Sequence, residues 1–488
     1  MAEYKKKDGP FLAGRTSERA ELEDALASGR SELIAIHGRR RVGKTYLIRT
    51  VLARQLCFEL TGMRDVSLGV QLKNFTQTLS RHVIYPLETP TSWIDAFAML
   101  ERYLTSQLSE VGRKVVFLDE IPWIASPRSG FLSALDHFWN SFGSRHQNLI
   151  VVICGSAASW MIVNVLHHKG GLHNRVTRTI PLSPFNLHET ESFLQGRGIP
   201  LGHDQILELF MAVGGIPYYL DYVRKGKSAA QNIDAMFFAP NAPLRDEFDQ
   251  LYAALFTHHD QHVKVIRELA RKRSGLTRQQ LRAGTGLPTG GTLTTVLSEL
   301  ERTGFILRTV PFGKTLRDSV YRLIDAFTLF HLRWVSSKAL SQERGSWWLQ
   351  QRSTPAGFAW NGYAFENVCL MHVMQIKRAL GISGIATEQS AWQLKESDRE
   401  KSGAQIDLLI DRPDGVINLC EMKHTESPFV IDKRYARILR ERSDTFRRAT
   451  GTRKSLLLTF ITKQGVFPSS YASELVASEV RSEDLFAS

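Results

Sequence analysis

The chain is short of the residues that mark secreted or metal-stapled proteins. Cys57, Cys154, Cys369 and Cys420 are its four cysteines, widely scattered and without a CxxC pair. This spacing argues against a zinc ribbon and a disulfide framework, and fits a reducing cytosol. Long unbroken apolar runs are also missing. The richest stretch, LIVVICGSAASWMIVNVL from Leu149, is interrupted by Gly, Ser and Asn, so it reads as a buried strand followed by a helix and not as a membrane span. The basic opening MAEYKKKDGPF leads into no apolar segment, and a secretory signal is not expected. Acidic residues are outnumbered, 49 against 62 Lys plus Arg, and the resulting charge of +13 favours polyanionic partners such as nucleic acid. The expectation is a soluble cytoplasmic protein with no membrane partner.

Hydrophobic residues make up 43% of the chain and charged residues 23%, an ordinary globular composition. At 488 residues the chain exceeds what one core supports, and scaling suggests roughly three or four domains.

The segment LIAIHGRRRVGKTYLIRTVL sets an apolar strand before Gly38-x4-Gly43-Lys44-Thr45 and an apolar helix after it. That context identifies a P-loop. Gly38 and Gly43 allow backbone N–H groups to turn toward phosphates, and the helix N-terminus adds favourable partial charge. Lys44 is expected to reach the β- and γ-phosphates of ATP, and Thr45 to ligate Mg²⁺. Further on, RKVVFLDEIPW delivers Asp119 and Glu120 at the end of a buried strand, where open α/β sheets bind ligands. Asp119 is the expected partner of the Mg²⁺ shell, and Glu120 the base or orienter of the attacking water. Either acid could instead cap a helix. Ser156, ending LIVVICGS, is suited to sense the γ-phosphate from a strand beside the P-loop strand, or simply to cap the following helix. Arg175 is a candidate for transition-state charge or an ordinary solvated arginine.

FLAGRTSERAEL, GRRRVGKT, VVFLDEIPW, ICGSAASWM, PLSPF and VGGIPYYL, in that order, resemble the archaeal-type ATPases of the STAND class of P-loop NTPases, which are similar to AAA+ ATPases. The resemblance implies a parallel-sheet core with a helical lid. It assigns Gly14 and Arg15 to a box before the first strand, and Gly214, Gly215 and Pro217 to a lid motif near the adenine. As plain punctuation, GGIP is a turn between helices.

Beyond a loop near residue 240, HVKVIRELA, LTRQQLRAGTGL, TLTTVLSELERTGF and ILRTVPFGKTLRDSVYRLI read as three short helices and two strands, a pattern that resembles a winged helix. Its third helix, from Gly291 to Thr303, carries Arg302 against Glu299 and Glu301, which is poor phosphate chemistry. An interdomain module is the better expectation, with a DNA reader as the alternative. LIDAFTLFHLRWV is expected to be a core helix.

The last part begins with the apolar helical stretch GYAFENVCLMHVMQIKRALGI, with Glu366 beside its stripe, and continues as strand, hairpin, basic helix and strand. The order α-β-β-β-α-β is that of a restriction-endonuclease-like core. In IDLLIDRPDGVINLCEMK the DRPDG segment is turn-forming. If Ile410 faces Val416, then Asp407 faces Leu419 and shares a face with Glu421, its diagonal neighbour roughly 7 to 8 Å away, and with Lys423. FENV, GAQIDLLID and INLCEMK also resemble the C-terminal domain of unknown function fused to archaeal-type ATPases, which is similar to PD-(D/E)xK nucleases. By that resemblance Asp407 and Glu421 hold Mg²⁺, Lys423 orients water or stabilises phosphate charge, and Glu366 completes the site. Between residues 433 and 454, nine basic residues face only Glu441 and Asp444, a surface suited to phosphates or a solvated helix.

The sequence thus leads to an α/β protein in four parts: a P-loop ATPase core over 1–185, a helical lid over 186–240, a winged helix with connecting helices over 241–355, and a nuclease-like domain over 356–488. The expected activity is an ATP-hydrolysing switch coupled to Mg²⁺-dependent chemistry on DNA. A regulatory ATPase with an inactive endonuclease-like scaffold is the rival. A homo-oligomer or a protein partner is expected by resemblance.

Overall fold

The computed structural model describes residues 11–166, 171–256, 258–288, 291–336, 346–394 and 404–488, with the backbone alone at His173. The N-terminal lysines and Gly403 of GAQIDLLID lie outside these residues. The chain divides into two compact units, 1–184 and 185–488. All four cysteines are free, and no helix among the described residues is long and apolar enough to cross a membrane.

The first unit is built on the strands β1 (Glu32–His37), β2 (Leu56–Thr61), β3 (Lys114–Asp119), β4 (Leu149–Gly155) and β5 (Arg178–Pro181). They lie side by side in the order β2-β3-β4-β1-β5, every neighbouring pair parallel. A parallel sheet needs cover on both faces, so its strands read as continuous apolar runs. Accordingly Leu33 to Ile36, Val115 to Leu118 and Leu149 to Cys154 are all buried. The helices Trp93–Leu108 and Phe131–Ser141 cover part of the sheet with a cluster that joins Phe97, Phe131 and Phe138 to Leu33, Val116 and Val151. The stretch from Leu149 is a strand followed by short helical turns, Ala158–Met161 and Ile162–Leu166.

The second unit opens with the helices Leu187–Gly196 and His203–Val213. Gly215 packs directly on the backbone of Phe185: a Cβ there would stand 1.8 Å from the Phe185 carbonyl oxygen, so glycine is required. Pro217 starts the short helix Pro217–Leu220. The expected core helix is present as Ala326–Phe330 running into His331–Val335. Around it Phe237, Phe330, Trp334, Trp348 and Trp360 form contiguous edge-on and tilted ring contacts.

The middle segment supplies the helices His259–Ala270, Arg278–Thr285 and Gly291–Arg302 and the strands β6 (Leu276–Thr277), β7 (Ile306–Thr309) and β8 (Val320–Leu323), in the antiparallel order β6-β8-β7. The C-terminal segment forms the strands β9 (Glu388–Leu394), β10 (Ala404–Asp411), β11 (Val416–Lys423), β12 (Ser455–Thr462) and β13 (Ser478–Arg481), in the order β13-β12-β11-β10-β9. The helix Pro355–Met371 precedes this sheet, and Lys433–Thr450 connects β11 to its parallel neighbour β12. The connection between β7 and β8 docks on this C-terminal sheet. There the Phe312 N–H donates to the Ala391 carbonyl at 2.8 Å, and the Phe312 ring meets Phe446 at 5.2 Å.

The β10–β11 register differs from the expected one. Ile410 faces Asn418, not Val416, with Leu409 opposite Leu419 and Leu408 opposite Cys420. The turn is tighter than assumed. Gly415 adopts φ +82° and the Arg412 N–H bonds the Val416 carbonyl at 2.9 Å, which closes a three-residue hairpin loop ending on a left-handed glycine. The shift is two residues in the pairing, so the side chains from Leu408 to Asp411 keep their faces. The β10–β11 pairing runs no further than Leu408, and β10 shifts its register on β9 between Ile406 and Leu409, the irregularity that contains Asp407.

Candidate functional site

The P-loop turns off the end of β1. A Cβ on Gly38 would stand 2.2 Å from the Leu182 carbonyl oxygen, and Gly43 sits at φ +90° as the N-cap of the helix Lys44–Val51. Both positions therefore need glycine, the first for close approach and the second for left-handed backbone. The Lys44 ammonium is buried and donates to the carbonyls of Gly38 and Arg39, at 3.0 Å each. The loop is thus wrapped around its own cation. Arg15 is buried as well and braces the loop through the Val42 carbonyl at 3.1 Å.

Strand order brings in the remaining groups. Because β4 lies between β1 and β3, the ends of all three strands meet at one edge of the sheet. The Thr45 hydroxyl donates to Asp119 Oδ2 at 2.7 Å. Glu120 adopts a left-handed backbone, φ 50° and ψ 49°, a conformation uncommon outside glycine. Its Oε2 accepts the Ser156 N–H at 3.1 Å and the Ser156 hydroxyl at 2.8 Å. Gly38, Gly43, Lys44, Thr45 and Asp119 thus meet at one end of the sheet, with Glu120 and Ser156 paired beside them. Arg175 is exposed on the turn before β5 and is not joined by its side chain to this group among the described residues. Pro217 belongs to the second unit. The loop geometry, the buried ammonium and the Thr45–Asp119 pair fit a nucleotide with Mg²⁺, because backbone donors, a cation and a hydroxyl–carboxylate pair are the groups such a ligand needs.

The second cluster lies within the C-terminal segment. Glu421 is held on all sides. Lys423 Nζ is 2.7 Å from its Oε1, Tyr435 donates to the same oxygen at 2.5 Å, and Arg442 pairs with Oε2. Burial opposes ionisation of Glu421, but the charges of Lys423 and Arg442 outweigh it and hold the carboxyl below its ordinary pKa. Burial also works against the Lys423 ammonium, and Glu421 beside it reverses the effect, so Lys423 titrates higher than usual. Burial, then the charge of Glu421, push the Tyr435 hydroxyl up to about 12.

Glu366 and Asp407 form a separate pair. Glu366 Oε2 accepts from Arg322 at 2.9 Å, and Asp407 Oδ1 accepts from Gln405 at 2.6 Å and lies 4.0 Å from the same Arg322. Burial and the charge of Asp407 raise the Glu366 pKa, against the pull of Arg322. The four expected residues therefore fall into two subsets: Glu366 with Asp407, and Glu421 with Lys423. No group of three or more His, Cys, Asp or Glu among the described residues is arranged to hold a metal ion. The oxygen-only chemistry of Glu366 and Asp407 fits a hydrated Mg²⁺, which is commonly held by one or two carboxylates; Glu421 is already neutralised.

Sequence reasoning missed Arg322 and Tyr435, and counted Arg442 as a phosphate contact when it serves Glu421. Tyr435 and Arg442 lie seven residues apart on the helix Lys433–Thr450, hence on one face, and that spacing was the available signal. The basic run is also partly spent within the protein: Arg437, Arg440 and Lys454 pair with Glu441, Glu474 and Asp411.

A family described as an ATPase domain predominantly from Archaea matches residues 12–223. An uncharacterized protein of Methanocaldococcus jannaschii is 23% identical over 371 residues, 75% of this chain and 78% of the relative. Among solved structures, the chain is similar to a Walker-type ATPase of Pyrococcus abyssi, at 18% identity with a TM-score of 0.49, covering 66% of this chain and 96% of that one. It is also similar to the ORC2 protein of Aeropyrum pernix in its ADPNP–ADP complexes, at 16% identity and a TM-score of 0.43, covering 67% and 95%.

Proposed function

With residues 12–223 an ATPase domain of the archaeal type, we propose that the protein is an ATP-hydrolysing switch of STAND-like organisation, coupled to a Mg²⁺-dependent site on its C-terminal sheet that acts on DNA. The observation that carries the first half is the meeting of Lys44, Thr45, Asp119, Glu120 and Ser156 at one edge of the parallel sheet. ATP bound there supplies the phosphoanhydride, and Mg²⁺ neutralises its charge. Lys44 releases the loop carbonyls to meet phosphate oxygens. Thr45 and Asp119 would hold the metal, and Glu120, aimed by Ser156, would orient the attacking water. Arg175, exposed before β5, is the candidate for added positive charge.

The proposal for the second half keeps four parts: core over 1–185, lid over 186–240 with Pro217 near the base, winged helix over 241–355 and nuclease-like domain over 356–488. The docking of the β7–β8 connection on β9 favours an interdomain role for the third part over DNA reading. In the last part Glu366 and Asp407 would hold Mg²⁺, whose chemistry is to acidify water and neutralise phosphate charge. Lys423, anchored by Glu421, would face the phosphate. A second reading, a regulatory ATPase with an inactive scaffold, is favoured by the saturation of Glu421 with three donors.

Cleavage of plasmid DNA by the full chain with Mg²⁺ and ATP separates the two readings. The nuclease reading expects cleavage that Asp407→Ala and Lys423→Ala abolish. Absence of cutting, or cutting indifferent to both substitutions, leaves the regulatory reading.

A further inference from the structure

Arg322 belongs neither to the helix that carries Glu366 nor to the sheet that carries Asp407. It projects from β8 of the three-stranded sheet, is 7% exposed, and sets its guanidinium over the Tyr363 ring at 5.2 Å. From there one nitrogen bonds Glu366 at 2.9 Å and another stands 4.0 Å from Asp407. Its Nε is buried without a hydrogen-bond partner among the described residues.

The carboxylates it neutralises are not sealed. The Glu366 and Asp407 side chains are 30% and 31% exposed. A cleft of about 580 Å³, lined by Arg322, Asp407, Gln393, Gln405, Arg308 and Lys314 among others, opens beside Asp407. A cation entering from solvent can therefore reach the pair that Arg322 occupies. Since the pair supplies two negative charges, a guanidinium and a divalent ion would repel one another across the same few ångströms, and binding of one disfavours the other.

We propose that Arg322 is a resident counter-cation of the Glu366–Asp407 pair that competes with a divalent cation for it, so that the docking of the β6-β8-β7 sheet sets the cation affinity of the C-terminal site. The proposal rests on the reading of that site as metal-dependent. It gives the middle segment a regulatory part, because Phe312 is one of the contacts that join the sheet of Arg322 to the sheet of Asp407. Release of that contact would withdraw the arginine and leave the carboxylates free.

Titration of the nucleotide-free full chain with Mn²⁺, followed by electron paramagnetic resonance of free Mn²⁺, tests the proposal, with Asp407→Asn defining the binding that belongs to this site. Arg322→Gln is expected to raise the Asp407-dependent affinity at least tenfold. Phe312→Ala, which leaves every charged group in place, should raise it at least threefold and carries the test if Arg322→Gln does not fold. Asp407-dependent binding that is equal in wild type and both variants overturns the competition and leaves the metal reading standing. Absence of Asp407-dependent binding in all of them overturns both.

Discussion

Ser156 gives its backbone N–H and its hydroxyl to the same oxygen of Glu120, at 3.1 and 2.8 Å. The two residues end adjacent strands, so the bond is fixed by sheet order and does not depend on a loop. Hydrogen bonds to a charged group contribute about 1.5 to 3 kcal/mol. Ser156→Ala is therefore expected to lower the steady-state ATP turnover number by about tenfold, while the nucleotide dissociation constant stays within about twofold. Phosphate release and equilibrium nucleotide binding, measured on the same preparation, check this; an unchanged turnover number rules out the positioning role.

Two substitutions in the loop should fail for different reasons. Lys44→Ala removes the buried ammonium and is expected to abolish nucleotide binding in a folded protein. Gly38→Ala drives a Cβ to within 2.2 Å of the Leu182 carbonyl oxygen, so the loop has to move away from β5. Its expected signature is loss of both nucleotide binding and thermal stability. Calorimetric titration and melting curves distinguish the two, and a Gly38→Ala protein that binds nucleotide normally contradicts the close-packing argument.

His372 gives the stability of the protein a pH dependence. Its Nε2 accepts the Leu187 N–H at 3.0 Å and its Nδ1 lies 2.8 Å from the Val368 carbonyl, so the neutral ring is the form that fits. Burial lowers its pKa from 6.5 to about 4. The unfolded chain binds a proton below 6.5 that the folded chain refuses, so stability falls as pH drops from 6.5 toward 4, by about 3 kcal/mol for this residue. Denaturant titrations at pH 7 and 4.5 should show the loss, and His372→Gln should reduce it. An equal pH slope in that variant contradicts the assignment.

Tyr435 offers a narrower test. Its hydroxyl donates to Glu421 at 2.5 Å, and removing it leaves Lys423 and Arg442 to satisfy the carboxylate. Tyr435→Phe is expected to cost about 1 to 3 kcal/mol, read as a shift of the denaturation midpoint. No shift contradicts a role for Tyr435 in holding Glu421.

The first site was legible because its residues are signalled locally. The glycines, Lys44 and Thr45 occur within one turn, and the strand ends carrying Asp119, Glu120 and Ser156 announce themselves as apolar runs that stop at a polar residue. Even so, the pairing of Glu120 with Ser156 needed the strand order, which no local pattern contains. The C-terminal hairpin was legible as a hairpin but not in its register, since only the left-handed Gly415 decides the loop length, and the irregularity between Ile406 and Leu409 that carries Asp407 interrupts the alternation from which its face was read. Arg322 was hidden for a deeper reason: it approaches Glu366 and Asp407 from another sheet, through contacts made only by tertiary packing. The basic helix was misjudged for a related one, because composition counts charges and does not show that Arg440 and Arg442 already have partners in Glu474 and Glu421.

The most direct measurement is single-turnover ATP hydrolysis by wild type and Glu120→Gln, with ATP binding determined on the same proteins. If Glu120 orients the attacking water, the variant binds ATP within about threefold of wild type and hydrolyses it at least about a hundredfold more slowly, the usual weight of a positioned base. Equal hydrolysis rates would contradict the account of the nucleotide site.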